Sequence, residues 1–470
     1  MKRKYILLLC TVFVNLLYNF FLPLHPDEAY YWVWSKNLQL SYYDHPPLVA
    51  YLIKFFTLFG NSEWTIRLAS VAVVTASAWM VYLLARKMFS LKVAELSLIL
   101  FLFLPIVQIS FQVVTPDVPL LFFWTMTLYL AYGAIFESKQ SFLYLSGITM
   151  GLLLLSKYTG ILLASGLIIF LLTTSYRPLL WNKSFYVTMG LAIGVFSPVL
   201  LWNGLHNWVS FHYQLDHGIG QVQTTNWLTL IDYWQNQMLV ANPIIFVGLL
   251  YYCLKYIRKN VTDAKLAFLL WPFLFVVLFF NFTAITKKVE ANWPLPAYVT
   301  GSILLAYWLE ANRKKSIAIA GAVVTVILLV VVRFPEKIPF WPNNINLKVP
   351  YYGYKELFQQ GNKYLPVHDP VILSDTYQNA SMAWYYLSGQ PHVYILTSSL
   401  HSNYEFWNEK LINENVPEAL YFGGAEQLPV LQRRFEHIEV LDVLIFNNCY
   451  VNRTLYVVKC YHLVPYTNEQ

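Results

Sequence analysis

Ionisable residues of complementary kinds are concentrated in one loop near the start of the chain. The loop reads HPDEAYYWVWSKNLQLSYYDHPPL, and it contains two clusters: Asp27 with Glu28, and Asp44 with His45. An aspartate costs roughly 2.5 to 3.5 kcal/mol at the centre of a membrane span, so acids that cluster directly after an apolar stretch usually mark a functional site. Carboxylates and imidazoles are the groups that move protons in catalysis.

Each cluster also has a structural interpretation. Asp27 follows Pro26 and could cap a short helix formed by AYYWVWS, whose aromatic face would then lie among lipid headgroups. Asp44 and His45 precede two prolines, and such a segment could be a simple turn before an amphipathic stretch. The presence of both clusters in one loop favours catalysis over two unrelated structural roles.

Three single residues further along the chain are also candidates. Lys157 lies between two apolar blocks in GLLLLSKYTGILL, where a lysine either extends to the surface or binds an anion. Asp117 begins an apolar block, where capping of a helix is the structural alternative. His217 lies beside Asp216 and two glycines in FHYQLDHGIG, and a lone histidine of this kind is more often structural than functional.

The composition indicates what kind of protein must position these groups. Of the 470 residues, 57% are hydrophobic and 12% are charged, and the apolar residues form long blocks, as in a polytopic helical membrane protein. The net charge of +7 comes mostly from short connectors between the blocks, which indicates topology signals rather than binding of nucleic acid. The basic start with no cleavage site after it predicts a retained first span.

The apolar blocks predict about eleven spans. They lie near residues 5–24, 64–85, 93–111, 118–136, 142–157, 159–175, 185–203, 241–257, 266–284, 297–309 and 316–333. If the basic start is cytoplasmic, alternation places most connector lysines and arginines on the same side. It also places all the polar clusters on the opposite, outer side, and this convergence favours an active site there.

The connector TKKVEANWPLPAY departs from that charge pattern. Lys287 and Lys288 lie on the side that should carry few cations, and Glu290 and Trp293 follow them. Binding of an anionic phosphate would explain two lysines on this side of the membrane. Trp293 could stack on a sugar, although aromatic residues at a membrane interface are normally anchors.

The last part of the chain predicts a second domain. After about residue 334 charged and turn residues increase, and PVILSDTYQNASMAWYYLSGQ with HVYILTS reads as strand, helix and strand. The segment VLIFNNCYVNRTLYVVKCYHLV predicts two strands joined at an Asn-Arg turn, with Cys449 and Cys460 as candidates for a disulfide in an oxidising compartment. We therefore predict a transmembrane domain, residues 1–333, which includes the outer loop 25–63, and a small extracytoplasmic α/β domain, residues 334–470.

The order of these motifs resembles a known superfamily. HPDEAYYW with YYDHPPL, then TPD, GLLLLSKYTG and KKVEANWPLPAY, is similar to the GT-C glycosyltransferases that use polyprenyl-phosphate sugars. The similarity is to the bacterial branch that groups with protein O-mannosyltransferases and the lipid A aminoarabinose transferase. It covers most of residues 1–310.

The resemblance implies an activity and a location. Such a protein is an inverting transferase of the cytoplasmic (inner) membrane, with its active site and C-terminal domain on the extracytoplasmic side. It moves a sugar from a polyprenyl phosphate to a cell-envelope acceptor, which can be a glycolipid, a polysaccharide or a protein. The implied partners are thus the lipid-linked donor, the acceptor and membrane lipids, and not nucleic acid.

The resemblance also implies roles for individual residues. Asp27, with Glu28 beside it, resembles the catalytic acid, and one carboxylate without a covalent intermediate gives inversion. Lys157 resembles the phosphate-binding lysine. The remaining candidates for binding the donor phosphate or sugar are Asp44, His45, Asp117, His217, Lys287, Lys288, Glu290 and Trp293.

The chain departs from the family pattern in two places. His45 stands where the aminoarabinose transferase has a lysine, and the arginine expected shortly after His217 is absent, so that Lys287 or Lys288 would replace it. No cofactor is predicted with certainty. A divalent metal ion is an open alternative, because Asp44 and His217 could both bind one, although two ligands are too few to define a site.

Two other classes of protein compete with this interpretation. A multi-span transporter or lipid flippase would also carry charges between its spans, but it should show inverted repeats or broken helices in matching halves. A non-catalytic scaffold with an outer receptor domain would not need several polar clusters on one side of the membrane.

Overall fold

The chain divides into two compact units. The computed structural model describes residues 2–218, 227–258, 263–337, 349–366, 371–396, 401–408, 416–448 and 451–464. The first unit, here called the membrane unit, comprises residues 1–20 and 39–331, and the second, the C-terminal unit, comprises residues 21–38 and 332–470. The structure therefore groups the start of the first outer loop with the C-terminal domain, whereas the sequence predicts it to be part of the transmembrane domain.

The membrane unit is built from helices. They are α1 (Lys2–Phe20), α3 (Leu48–Thr57), α4 (Glu63–Met88), α5 (Leu91–Leu102), α6 (Pro105–Ser110), α7 (Asp117–Phe136), α8 (Gln140–Ser156), α9 (Ile161–Thr173), α10 (Lys183–Leu205), α11 (Val209–Gly218), α12 (Trp227–Ala241), α13 (Pro243–Arg258), α14 (Ala264–Thr283), α15 (Ala297–Ala311) and α16 (Lys315–Arg333).

Several of these helices can cross a bilayer. Among the described residues five are long and apolar enough on their own, namely α4, α7, α10, α14 and α16. Helices α12 and α13 meet the same criterion as a pair, with a bend of 110° between them. These spans make the chain an integral membrane protein, while the number of eleven spans stays a prediction because other apolar blocks form shorter helices.

Polar side chains donate hydrogen bonds to backbone carbonyls near the breaks between helices. The predicted block 93–111 is interrupted before Pro105, and the side chains of Gln108 and Thr325 donate hydrogen bonds to the freed carbonyls of Leu102 and Phe103 at 2.7 and 2.5 Å. Such partners are required because lipid offers none to an exposed carbonyl. At the bend before α13, the Asn242 amide group likewise donates to the Gly321 carbonyl at 2.7 Å.

Glycine allows two pairs of helices to approach closely. A Cβ atom on Gly147 of α8 would lie 2.4 Å from the Thr188 carbonyl of α10. A Cβ atom on Gly166 of α9 would lie 2.7 Å from the Cα atom of Pro272 in α14. Contacts this short are not compatible with a larger side chain, so both glycines set a distance between helices, as small residues do in membrane proteins.

The C-terminal unit is a mixed sheet with helices around it. Its helices are α2 (Pro26–Lys36), α17 (Tyr354–Gly361), α18 (Tyr377–Tyr386), α19 (Tyr404–Trp407) and α20 (Leu428–Arg434). Its strands are β1 (Val371–Ser374), β2 (Val393–Ile395), β3 (Glu418–Gly423), β4 (Phe435–Asn447) and β5 (Asn452–Leu463).

The sheet order is β2-β1-β3-β5-β4, with β1 parallel to β2 and β3, and β5 antiparallel to β3 and β4. The predicted strand, helix and strand are therefore present as β1, α18 and β2. The predicted hairpin is present as β4 and β5, but Asn452 and Arg453 belong to β5, where they pair with Asn447 and Phe446. The predicted Asn-Arg turn was wrong, because these two residues extend the strand ladder instead.

Candidate functional site

Several of the predicted residues line one cavity of the membrane unit. Its volume is about 280 Å³. Four of the candidates from the sequence line it, namely His45, Lys157, Glu290 and Trp293. The other lining residues are Tyr158, Thr159, Ile161, Leu162, Tyr213, Gln214, Phe279, Phe280 and Thr283.

A break between two helices positions Lys157. Helix α8 ends at Ser156, Lys157 has an extended backbone with φ −160° and ψ 139°, and a 3-10 turn over Tyr158–Gly160 leads into α9. The Lys157 side chain is only 8% exposed, yet it lines the cavity. The alternative that this lysine extends to the surface is therefore wrong, because the protein encloses it.

The ammonium group of Lys157 is paired with a buried carboxylate. Its Nζ donates to Oδ1 of Asp117 at 2.7 Å, and the Asp117 side chain is 4% exposed. Asp117 is the first residue of α7, but the N-cap is Pro116, so the capping alternative for Asp117 was also wrong. A lysine ammonium has three donors, so this bond leaves capacity to bind another acceptor.

A second hydrogen bond fixes the other oxygen of Asp117. The amide of Asn292 donates to Oδ2 at 2.7 Å, so both carboxylate oxygens have a partner. The backbone next to Asn292 is held as well, because Gln237 of α12 donates to the Ala291 carbonyl at 3.1 Å and accepts a bond from the Tyr298 hydroxyl at 2.8 Å. These side chains form a polar chain that leads from α15 to the wall of the cavity.

Sequence reasoning missed Gln237 and Tyr298. Both are 1% exposed. The available signal was weak, since α12 also contains Gln235 and Asn236, and the sequence does not indicate which of these polar side chains is buried or what it contacts.

The Asp44 and His45 segment is held by α11. Gln214 donates from its side chain to the Asp44 carbonyl at 2.7 Å, and Ser210 donates to the Tyr42 carbonyl at 2.9 Å. Burial, with the nearby Asp44 carboxylate as the second cause, raises the pKa of Tyr213 to about 12. Asp44 therefore lies close to the cavity that His45 lines.

The connector 287–296 contributes one wall of the cavity and a surface ion pair. Lys288 pairs with Glu290 at 3.0 Å, and their side chains are 75% and 52% exposed. Lys287 donates to the backbone carbonyl of Asp216. Trp293 packs against Phe280 with 5.8 Å between ring centroids, so an aromatic face borders the cavity.

Asp27 and Glu28 lie in the C-terminal unit, in the first turn of α2. The cap of α2 is His25, whose Nδ1 accepts from the Asp27 amide at 3.2 Å, while the Glu28 carboxylate accepts from the His25 amide at 3.0 Å. This is a capping box. The structure therefore assigns the capping role to His25 and Glu28 and not to Asp27.

The two acids differ in exposure. Glu28 is completely buried, whereas the Asp27 side chain is 41% exposed and its Oδ2 lies 3.6 Å from Nδ1 of His25. The aromatic face of α2 does not lie among lipid headgroups, because Trp32 and Trp34 are completely buried in the protein.

Asp27 belongs to a charged cluster of the C-terminal unit. Burial raises the pKa of Tyr354, Arg453 opposes that effect, and Asp375 and Asp27 add to it. The Arg453 guanidinium lies 3.8 Å from the centre of the Tyr354 ring. Asp375 is held by the backbone amides of Thr376 and Gly424, each at 2.7 Å.

Two of the predicted residues and the alternative of a metal site require separate statements. The side chain of His217 and residue Cys449 lie outside the described residues. Within the described part of the chain, no three His, Cys, Asp or Glu residues form a group that could hold a metal ion.

Comparisons with known proteins agree with one another. A family model described as dolichyl-phosphate-mannose-protein mannosyltransferase matches residues 44–202. The lipid A galacturonosyltransferase RgtD of Rhizobium johnstonii is 27% identical over 340 residues, which are 71% of each chain. An uncharacterised protein of Aquifex aeolicus is 24% identical over 349 residues, 67% of this chain and 66% of that one.

The fold is similar to that of a solved structure. ArnT from Cupriavidus metallidurans, crystallised with undecaprenyl phosphate, superposes with a TM-score of 0.69 over 97% of both chains, at 14% sequence identity. At that identity the likeness shows a common fold.

Proposed function

Because this chain belongs to the GT-C superfamily of membrane glycosyltransferases, we propose that it transfers a sugar from a polyprenyl-phosphate donor to a cell-envelope acceptor. The observation that carries the proposal is the buried Lys157, which is held by Asp117 and borders a cavity with an aromatic wall. An ammonium with free donors binds a phosphate, and a tryptophan face binds a sugar ring.

Relatives support the choice of donor and acceptor. The ArnT structure contains undecaprenyl phosphate, and the names of the other matches specify a dolichyl-phosphate sugar and lipid A. We propose a polyprenyl monophosphate carrier and a glycolipid acceptor of the lipid A type for this chain. The cavity would then face the extracytoplasmic side of the inner membrane, where such acceptors are glycosylated.

The proposed reaction is a single displacement at the anomeric carbon. The acceptor hydroxyl oxygen forms a bond to that carbon, while the bond from the carbon to the phosphate oxygen breaks and its electron pair remains on the phosphate. Asp27 accepts the hydroxyl proton. One displacement inverts the configuration, in contrast to the two steps of a retaining enzyme.

The cavity residues would stabilise the leaving phosphate. Lys157 and His45 donate hydrogen bonds to the oxygens on which charge grows, and removal of one such donor typically costs a hundredfold or more in rate. Because Asp117 and Asn292 fix Lys157 in advance, the ammonium needs little rearrangement when the donor binds. Trp293 would orient the sugar.

Donor binding can be measured without any transfer. Undecaprenyl phosphate at about a hundredfold excess over its Kd should stabilise the purified protein by roughly 2.7 kcal/mol. Lys157→Met should abolish this shift, whereas Lys92→Met, at an exposed position far along the sequence from the cavity residues, should retain it. A shift of equal size in the Lys157→Met protein would remove the phosphate-binding role.

Transfer tests the proposed base. Membranes that contain Asp27→Asn should lose at least about a hundredfold in transfer rate, and Asp442→Asn in the same unit serves as the matched control. Undiminished transfer by Asp27→Asn would exclude the base assignment. Mass spectrometry of envelope glycolipids with and without the gene identifies the sugar and the acceptor.

A further inference from the structure

We infer that the C-terminal unit is part of the catalytic machinery, because its aromatic residues hold the helix that carries Asp27. The inference rests on the proposed function, in which Asp27 is the base, and it assigns Tyr30 and Tyr386 as positioning residues. It gives aromatic residues of the C-terminal unit a role in the chemical step of transfer.

Helix α2 cannot depend on its own stability. It contains 11 residues, and isolated helices shorter than about 12 to 15 residues are marginal in water. Four of those residues are aromatic, and such residues are only moderate helix formers. The capping box fixes the first turn, but the position of the helix must come from packing against other elements.

That packing comes from α18 and α19. The Trp32 ring meets the Tyr385 ring edge to face with 4.9 Å between centroids, and the Tyr30 ring lies 4.6 Å from that of Tyr377 and 6.1 Å from that of Tyr404. Trp32 and Tyr30 are 0% and 2% exposed. The rings of Trp32 and Tyr30 are thus buried and in contact with α18 and α19.

Two hydroxyl groups anchor the backbone on either side of Asp27. The Tyr386 hydroxyl accepts a hydrogen bond from the backbone amide of Leu24 at 3.0 Å, three residues before Asp27. The Tyr30 hydroxyl, one turn after Asp27, accepts from the backbone amide of Asn403 at 2.8 Å. Both bonds are buried, and they flank the acid on its two sides along the chain.

The His25 ring adds a third support. It meets the Tyr351 ring at 5.2 Å, edge to face, and Tyr351 belongs to the C-terminal part of the chain. Asp27 itself remains 41% exposed. The acid is therefore accessible while the backbone on both sides of it is fixed, which is the arrangement that a base acting on a bound acceptor requires. A displacement of about 1 Å can cost a hundredfold in rate.

The experiment uses the full-length protein in membranes or detergent. Tyr30→Phe, Tyr386→Phe and the double variant keep the rings and remove the hydroxyls. Tyr421→Phe is the matched control, because this buried tyrosine of β3 donates its hydroxyl to the Gly424 carbonyl, in the same unit but at the sheet and not at α2. The readouts are kcat, the KM for the donor, the thermal midpoint, and the same variants in an Asp27→Glu background.

We expect kcat to fall about tenfold in each single variant and further in the double variant, with the donor KM changed less than twofold. The control should lose a similar amount of thermal stability but keep its kcat. In the Asp27→Glu background, where the carboxylate is already displaced, removal of the hydroxyls should cost less than threefold.

Two results would overturn the inference while leaving the proposed function intact: full kcat in the double variant, or an equal loss of kcat in both the Asp27 and Asp27→Glu backgrounds. Failure of the proposed function itself has a separate signature. In that case the unaltered protein neither transfers a sugar from a polyprenyl phosphate nor is stabilised by undecaprenyl phosphate.

Discussion

The same pair of residue types occurs in two very different surroundings. In the membrane unit Asp117 and Lys157 are 2.7 Å apart with side chains 4% and 8% exposed, whereas in the C-terminal unit Asp442 and Lys363 are 3.1 Å apart with side chains 33% and 59% exposed. Water solvates the second pair in both its paired and unpaired states. Water does not solvate the first pair, so a charge that loses its partner there stays buried. Burial, and not distance, therefore decides how much free energy of unfolding is lost when either pair is broken.

The largest effect should follow from breaking the buried pair. Asp117→Asn leaves the Lys157 ammonium enclosed without a counter-charge, and loss of one partner of a buried pair typically costs about 3 to 5 kcal/mol of unfolding free energy. Denaturation in detergent measures the loss. If Asp117→Asn were as stable as the unaltered protein, Lys157 would have to be solvated in a way that its 8% exposure contradicts.

A smaller loss is expected when both partners are removed. The double variant Asp117→Asn, Lys157→Met leaves no buried charge, so it should recover more than half of the stability that Asp117→Asn loses. It should still fail to bind undecaprenyl phosphate. Recovery of donor binding together with stability would show that the phosphate is held by other residues.

The capping box gives a third, intermediate effect. Glu28→Ala removes the acceptor for the His25 amide and should cost about 1 kcal/mol. Glu28→Gln keeps an acceptor of the same length and should retain most of that stability and the transfer activity. A loss of transfer in Glu28→Gln as large as that in Asp27→Asn would show that Glu28 also takes part in the chemistry.

The exposed pair should show the smallest effect, and only at some pH values. Hydrogen bonds from Tyr364 and Lys363 lower the pKa of Asp442. The ionised Asp442 therefore stabilises the folded state above the ordinary pKa of an aspartate. This stabilisation disappears as the pH falls through the lowered pKa that Asp442 has in the folded state. Asp442→Asn should lower the thermal midpoint slightly at neutral pH and not at all in strong acid. An equal change of the thermal midpoint at both pH values would show that the effect of Asp442→Asn comes from packing and not from charge.

The sequence singled out several residues that line the cavity, but it did not indicate what α2 packs against. Lys157 could be recognised because a charge between apolar blocks is costly in a membrane. Glu290 and Trp293 were noted because they follow two lysines on the side that should carry few cations. The polar chain through Gln237 and Tyr298 could not be recognised, since hydrogen bonds between side chains 61 positions apart leave no local pattern.

The neighbours of α2 could not be predicted from the sequence for a different reason. Its aromatic residues are equally suitable for a lipid interface and for the core of a protein, because both environments reward the same apolar surface. The expectation that this face lies among lipid headgroups was wrong, because Trp32 packs against Tyr385 of α18.

The close approach at Gly166 affects the width of the cavity. Helices α9 and α14 each supply part of its lining, through Leu162 on one and Phe280 on the other, and they meet where a Cβ atom on Gly166 would lie 2.7 Å from Pro272. The methyl group of an alanine at position 166 would therefore push α9 and α14 apart. The room in the cavity can therefore be changed at a position that does not line it.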